Sequence, residues 1–140
     1  MSSQIRRLFH PNGRIRTEIP TKNGKTHGIK RDYHPNGQLA AEISYEHGLQ
    51  HGTAKIWASD GRLLGEYSLS HGTGIAKVWY DNGNLQSEVT LVQGLPTGRQ
   101  KAWYEDGHPA PDTYWINGRK ISRKKYLEAS QLDSQLPRYG

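Results

Sequence analysis

The amino-acid sequence predicts an all-β protein of stacked antiparallel β-hairpin repeats, forming a meander sheet, with a short C-terminal helical cap. Two observations carry this prediction. A turn glycine recurs at steps of 24, 24, 22 and 24 residues, and an aromatic residue stands four positions before each one. A fixed period of this size is typical of repeat proteins. The turn glycines are Gly13, Gly37, Gly61, Gly83 and Gly107, and the aromatic residues are Phe9, Tyr33, Trp57, Trp79 and Trp103.

Residues 51–72 show one complete unit. A strand over residues 53–58 leads to a turn at Asp60-Gly61, and a second strand over residues 63–69 leads to a second turn at His71-Gly72. Asn-Gly and Asp-Gly pairs between β-prone runs are a strong hairpin signal, because glycine adopts positive φ without steric cost. Each unit covers the apolar face of the next when the units stack, so we expect the stability of each hairpin to depend on its contacts with adjacent hairpins.

The sequence predicts a single domain over residues 1–140. Residues 1–8 form a ragged first strand, and residues 9–118 form the five hairpins. Residues 119–140 depart from the repeat and form a C-terminal helical cap and tail.

The helical cap is predicted from the change in residue types after Ile121. Ser122 is a suitable helix N-cap, and Pro137 ends any helix that reaches it. The residues expected to dock this helix on the last hairpin are Tyr126, Leu127 and Leu132.

Two hairpin registers remain open. A two-residue loop at the Asn-Gly pair places a base opposite an acid in every hairpin, each pair contributing about 0.2–1 kcal/mol. These pairs are Arg7–Glu18, Arg31–Glu42, Lys55–Glu66, Lys77–Glu88 and Lys101–Asp112. A three-residue loop, a type I turn followed by a glycine bulge, shifts the parity by one. We favour this loop because Pro11 and Pro35 precede the Asn-Gly pair, where proline suits a type I turn.

The three-residue loop would divide the side chains between two faces. The predicted core face holds Trp57, Trp79 and Trp103 with Leu63, Tyr67, Leu69, Leu85, Val89 and Leu91. The predicted opposite face holds Tyr80, Tyr104, Ile56, Val78, Glu66 and Glu88. Exposed tyrosines and aliphatic residues among charges are typical of a protein-binding surface. The candidate partner-binding residues are Tyr80, Tyr104, Lys77, Lys101, Trp79 and Trp103.

Composition limits the possible classes of function. The absence of cysteine excludes disulfides and thiolate metal sites. No apolar run approaches the roughly 20 residues of a membrane span, and the repeat begins too early for a signal peptide, so we expect a cytoplasmic protein. The net charge of +6 permits nucleic acid, anionic lipid or an acidic protein as partner.

The polar residues predict no catalysis, no cofactor and no metal site. His47, His51 and His71 approach one another across adjacent units, but turn histidines are usually solvated surface residues. Acids that recur in every unit are more simply structural, because an active site needs a unique constellation. Alternating lysines and tryptophans would suit single-stranded nucleic acid. The matching glutamates offset that charge and the tryptophans are expected in the core, so nucleic acid is an unlikely partner.

The repeat resembles the MORN repeat, and more closely its bacterial variant. The residues that carry the resemblance are Tyr33, Asn36-Gly37, Leu39, Glu42, Tyr45, Gly48 and His51-Gly52. Further copies begin at Trp57, Trp79 and Trp103, and the match covers residues 9–118. The copy at Trp103 departs, because Pro109 and Pro111 stand where its second strand should run, which predicts an edge, a bulge or a broken strand. The segment 114–126 resembles the closing turn and helix of such proteins.

The resemblance implies a binding role rather than a reaction. Bacterial proteins of this type resemble immunity or antitoxin proteins, which bind and neutralise a cognate polymorphic toxin encoded nearby. Eukaryotic MORN proteins are scaffolds, some of them linked to phospholipids. The resemblance therefore implies toxin neutralisation, with a scaffold that binds anionic phospholipid or a membrane surface as the alternative.

Overall fold

The structure, a computed structural model, describes residues 2–139 and shows five antiparallel hairpins in chain order. Met1 and Gly140 lie outside the described residues. The hairpins pair β1 (Ser3–Phe9) with β2 (Ile15–Lys22), β4 (Gly28–Tyr33) with β5 (Leu39–Glu46), β6 (Leu49–Trp57) with β7 (Leu63–Leu69), β8 (Gly74–Trp79) with β9 (Leu85–Val92), and β11 (Gly98–Trp103) with β12 (Pro109–Ile116). The short strands are β3 (Lys25–Thr26), β10 (Leu95–Pro96) and β13 (Arg119–Ile121), and one helix, α1 (Arg123–Leu132), follows them. The predicted fold class is confirmed.

The hairpins lie in two sheets that part between β7 and β8. The first sheet has seven strands, in the order β1-β2-β4-β5-β6-β7 with β3 beside β2, and the second has six, with β8 and β10 both beside β9. Between the two sheets the main chain forms one isolated bridge, Ser70 with Thr73. Because this main-chain pairing is so short, side-chain contacts must help to hold the third and fourth hairpins together. Among them, the Asp81 carboxylate accepts hydrogen bonds from the Ser59 amide and hydroxyl, both at 2.9 Å.

The predicted first strand is present, and its pairing with β2 is continuous apart from a register shift between Leu8 and Phe9. Ser3 to Phe9 pairs with β2 in seven positions, from Ser3 opposite Lys22 to Phe9 opposite Ile15. The hairpin array therefore begins six residues earlier than the predicted boundary at residue 9.

The turns have the three-residue loop that proline favoured. In the first hairpin the Gly13 amide donates to the His10 carbonyl at 2.9 Å, and the His10 amide donates to the Arg14 carbonyl at 2.8 Å. Gly13 follows the type I turn with φ of 86°, the left-handed conformation that a glycine bulge requires. The same pair of hydrogen bonds closes the other four turns.

A second bulge, which the sequence analysis did not predict, cancels the shift made by the first. Trp57 lies opposite Leu63 but Ile56 lies opposite Gly65, so Leu64 is an extra residue in the second strand. Beyond the bulge, each base of the first four hairpins faces its acid, as the two-residue register required. The pairs are Arg7–Glu18, Arg31–Glu42, Lys55–Glu66 and Lys77–Glu88. Each alternative register is thus correct on one side of the bulge.

The second bulge overturns the predicted division of faces. Tyr67 lies opposite Ala54 and Val89 opposite Ala76, one position out of phase with the base–acid pairs and therefore on the other face from the tryptophans. Glu66 and Glu88 lie on the tryptophan face, opposite lysines, rather than with Tyr80 and Tyr104. The buried apolar residues are mainly small and the core is thin. They are Ala41, Ala54, Ala58, Leu69, Ala76, Tyr114 and Tyr126.

The last hairpin tolerates its prolines because β12 is nearly an edge strand. Its outer neighbour β13 pairs only with Tyr114, Trp115 and Ile116, so Pro109 and Pro111 lie beside no outer strand. The register also shifts between Gln100 and Ala102, which removes the expected pairing of Lys101 with Asp112. Lys101 keeps its pairing with Glu88 of the preceding hairpin, which corresponds to the pairing of Arg31 with Glu18. The second strand of the last hairpin is therefore an edge strand over its proline residues and also contains a bulge.

The C-terminal helix closes the stack. The Ser122 side chain accepts a hydrogen bond from the Lys125 amide at 3.1 Å, which confirms the predicted N-cap. Tyr126 is fully buried and its ring lies 5.5 Å from that of Tyr114 on β12. Leu132 is 91% exposed, so its predicted docking role is wrong, because the helix ends there.

Alkaline pH should release this helix through Tyr126. Burial, with a smaller contribution from Tyr139, raises the pKa of Tyr126 from 10.0 to about 12. The folded state favours the neutral phenol, so its contribution to stability is complete below pH 10.0 and is lost as the pH rises through about 12. Tyrosinate absorbance and circular dichroism should show a late ionisation that coincides with loss of helix. Tyr126→Phe should abolish that late step, whereas Tyr104→Phe, at an exposed tyrosine, should leave it. Ionisation of Tyr126 together with the exposed tyrosines would contradict its burial.

Candidate functional site

The predicted lysines meet around one glutamate on the fourth and fifth hairpins. Glu88 on β9 lies opposite Lys77 of β8 on one side and Lys101 of β11 on the other. The structure therefore brings both lysines to one face, with a single acid between them. Lys101 is the more exposed of the two.

Tyr80 and Tyr104, which the sequence treats as equivalent, have different environments. The Tyr80 hydroxyl donates to the Trp103 carbonyl of the next hairpin at 2.7 Å, and the ring is half-buried. His10 and His34 occupy the same repeat position and contact the next hairpin's Tyr33 and Trp57 carbonyls at 2.8 and 3.0 Å. These turn residues therefore join neighbouring hairpins.

Tyr104 belongs to the last hairpin and is 55% exposed. Of the two candidate tyrosines, it is the one whose ring is available to a partner.

Trp57, Trp79 and Trp103 are half-buried, and the Trp79 ring packs between two hairpins. Trp79 lies so close to Gly65 of the preceding hairpin that a Cβ there would come within 2.3 Å of its ring. Trp79 therefore packs across the junction between the two sheets. A structural role for Trp79 competes with the predicted role in partner binding.

An exposed row of isoleucines on the same face was missed by the sequence analysis. Ile5, Ile29 and Ile75 are 58%, 44% and 50% exposed. Each stands two residues before the base of its hairpin, and this column could have been found in the sequence. Thr53 and Arg99 occupy the column in the third and fifth hairpins and obscure the pattern.

Ion pairs surround this row in the first two hairpins. Arg7 contacts Glu18 at 3.1 Å, and Arg31 contacts Glu42 at 2.9 Å. Glu18 also accepts a hydrogen bond from the Tyr33 hydroxyl at 2.8 Å. The hydrogen bond from Tyr33 is the largest cause that lowers the pKa of the Glu18 carboxyl, and the contact with Arg7 lowers it further. The pKa of the Tyr33 hydroxyl is raised by burial and by the hydrogen bond to Glu18. The face is thus charged but locally neutral, with apolar side chains between the pairs.

The connecting turns form a separate edge rich in histidine. Ligand atoms of Glu46, His51 and His71 lie within 4.8 Å of one another. The expected approach of His51 to His71 is present, with ring centres 4.2 Å apart, but the His47 ring lies against His27 instead, at 5.0 Å. However, the His71 amide donates to His51 Nδ1 at 2.9 Å, so Nδ1 is an acceptor and the neutral ring carries its proton on Nε2. A metal-bound histidine instead donates through its second nitrogen. While this hydrogen bond stands, His51 has no lone pair to offer a metal.

Residues at the repeat position of His51 accept the same kind of hydrogen bond in the other connections between hairpins. His27, Thr73 and Thr97 accept hydrogen bonds from the amides of the next connecting turns, at His47, Gln93 and Asn117. The His/Thr-Gly pair of the repeat is therefore a hydrogen-bonding element between hairpins.

Replacing Thr97 with valine should test this element. Thr97 is 3% exposed, and its hydroxyl accepts from the Asn117 amide at 3.2 Å. Thr97→Val keeps the shape but removes that acceptor, so it should lower the free energy of unfolding by about 1–3 kcal/mol. The control Thr53→Val, at an exposed strand position, should change it by about 0.5 kcal/mol or less. Equal effects in chemical denaturation would show that the hydrogen bond contributes nothing.

Two of the five hairpins match a known repeat family. The family described as MORN repeat variant matches residues 26–47 and 73–93, which contain the whole of the β4–β5 and β8–β9 hairpins. No curated protein matches the chain. Among residues 2–139, no helix has the length and apolar character needed to cross a bilayer.

Proposed function

We propose that this chain, which carries MORN repeat variants, is a non-enzymatic binding protein that recognises another protein through its isoleucine-bearing face. MORN repeats suggest a binding scaffold, and the face supplies a specific surface. The observation that carries the proposal is the row of Ile5, Ile29 and Ile75, exposed between base–acid pairs. Apolar anchors within a charged surround are the composition of protein interfaces.

The finer proposal is that the partner is a bacterial toxin and that this protein neutralises it in the cytoplasm. The support is the resemblance to the bacterial branch of the repeat. A preformed sheet loses little conformational entropy on binding, which suits tight blocking of another protein's active surface.

The decisive experiment is affinity purification from the native cells, followed by expression of any co-purified protein in a test strain. Immunity predicts one stoichiometric partner that kills cells unless this chain is co-expressed. Retention of lipid or nucleic acid without any protein would contradict both the protein-binding and the immunity proposals.

A matched pair of variants on β8 tests the face. Ile75 and Val78 are 50% and 49% exposed but point to opposite faces of the same strand. Ile75→Glu should weaken partner binding by about tenfold or more, as expected for loss of an interface anchor, and Val78→Glu should not. The reverse result would place the partner on the other face.

A basic cluster at the C-terminal cap favours a second candidate, binding to anionic phospholipid. Five exposed basic residues fall within the seven-residue segment 119–125, which runs from β13 into α1. They are Arg119, Lys120, Arg123, Lys124 and Lys125. Such clusters bind anionic membrane surfaces at about 1 kcal/mol per base. Sedimentation with phosphatidylserine vesicles, lost on Lys124→Glu/Lys125→Glu and absent with phosphatidylcholine, would support this candidate. Equal sedimentation with both lipids would exclude it.

A further inference from the structure

Two grooves between hairpins are built from the same repeat positions. The first lies between hairpins one and two and is lined by Ile5, Glu18, Pro20, Ile29 and Arg31. The second lies between hairpins four and five and is lined by Ile75, Glu88, Thr90, Arg99 and Lys101, together with Tyr139 of the C-terminal tail. Apart from Tyr139, each residue of the second groove stands 70 positions after its counterpart in the first. The two grooves are therefore copies of one structural feature.

The second groove holds the protein's own Tyr139. The Arg99 amide donates to the Tyr139 hydroxyl at 2.9 Å, and the Arg99 guanidinium lies 4.3 Å from the centre of the ring. Gly98 permits this approach, because a Cβ there would lie 2.7 Å from the hydroxyl and 3.4 Å from Pro137. The second groove thus holds a tyrosine whose hydroxyl accepts a hydrogen bond from a strand amide between the fourth and fifth hairpins.

The tail is held in place by contacts outside the groove. The Tyr126 hydroxyl donates to the Pro137 carbonyl at 2.6 Å, and Arg138 Nε donates to the Ser130 carbonyl at 3.2 Å. These bonds bring Tyr139 to the groove as part of an extended segment that follows a proline.

The first groove has the same framework with more space. Its volume is about 330 Å³, compared with about 160 Å³ for the groove that Tyr139 lines. Gly28 takes the place of Gly98 with nearly the same φ, 108° against 111°. Ile5 and Ile29 on its walls are 58% and 44% exposed. A Cβ on Gly28 would lie 3.4 Å from the Pro20 ring, so this part of the groove is bounded by proline. The apolar walls suit an aromatic ring.

We propose that the first groove binds a tyrosine on an extended segment of a protein partner, in the manner in which the second groove binds Tyr139. The ring would pack against Ile5 and Ile29, and its hydroxyl would accept from the Ile29 amide, which stands at the position of the Arg99 amide. This inference rests on the proposed protein-binding function and adds the chemistry of the partner.

The test uses a peptide copy of the tail, Ser-Gln-Leu-Pro-Arg-Tyr, titrated into the full-length isotope-labelled protein. Amide resonances of Ile5, Ile29 and Arg31 should shift, and a peptide ending in alanine should lose about tenfold or more of the affinity. Ile29→Glu should abolish the shifts, and Val78→Glu, on the other face, should retain them. In a Tyr139→Ala protein, the peptide should also shift Ile75 and Arg99, which provides an internal positive control.

Three outcomes would overturn the proposal. Shifts confined to Ile75 and Arg99 would mean that only the second groove binds tyrosine. Equal binding of the alanine peptide would remove the role of the ring. Concentration-dependent association of the wild-type protein, lost on Tyr139→Ala, would make a second copy of this chain the occupant. Each of these results leaves the pull-down of a toxin unaffected, so failure of this inference is distinguishable from failure of the proposed function.

Discussion

Gly72→Ala should be among the most destabilising single substitutions in this protein, lowering the free energy of unfolding by about 2–5 kcal/mol. Gly72 has φ of 78°, a left-handed conformation that costs a side-chain-bearing residue about 1–2 kcal/mol. A Cβ there would also lie 2.7 Å from the Gly94 nitrogen and 3.1 Å from the Gln93 carbonyl carbon. These are main-chain atoms that cannot move aside as a side chain can, and such overpacking costs a further 1–3 kcal/mol or so.

The close approach arises because successive connecting turns stack directly on one another. The Gly72 amide donates to the Gln50 carbonyl at 2.6 Å, and the Gly72 carbonyl accepts from the Gly94 amide at 2.9 Å. A methyl group at Gly72 would push apart the third and fourth connecting turns. The damage should therefore appear at a seam between hairpins rather than inside one hairpin.

Gly24→Ala is the matched control. Gly24 has the same φ of 78°, but an added Cβ would meet nothing within 4 Å. It should show only the backbone strain of about 1–2 kcal/mol. Chemical denaturation of both variants separates strain from close approach, and equal losses of stability would refute the stacking explanation.

The turns and the base–acid pairs could be predicted from the sequence because both are local, repeated signals. Asn-Gly and Asp-Gly turns fix the hairpin loops, and bases and acids recur at constant distances from them. The second bulge could not be predicted in this way. Its extra residues, among them Ala40, Leu64 and Gln86, share no side-chain type that marks a bulge.

The candidate site was only partly predictable, because its residues acquire different neighbours when the hairpins stack. Tyr80 binds a carbonyl 23 residues further along the chain, whereas Tyr104 stands in the last hairpin and stays exposed. The docking of Tyr139 on Arg99 joins residues 40 positions apart in a tail outside the repeat. Such long-range contacts leave no periodic signal in the sequence.

Trp79 and Gly65 should be energetically coupled, because their contact spans the junction between the two sheets. A Cβ on Gly65 would lie 2.3 Å from Trp79 Cζ2 and 2.6 Å from Cε2. Gly65→Ala should therefore lower the free energy of unfolding by about 1–3 kcal/mol through overpacking alone, since the φ of Gly65 lies outside the left-handed region.

A double-mutant cycle with Trp79→Phe tests the contact. The smaller ring leaves room for a methyl group, so Gly65→Ala should cost less in the Trp79→Phe protein than in the wild type, with a coupling energy of about 0.5–3 kcal/mol. Additive losses would show that the ring and the glycine do not interact.

The cycle also decides between two roles for Trp79. If Trp79 acts at the junction, its replacement should lower the free energy of unfolding of the protein. If it acts in partner binding, its replacement should weaken binding and leave the free energy of unfolding unchanged. Because main-chain pairing between β7 and β8 is limited to one bridge, we expect the loss of stability to dominate.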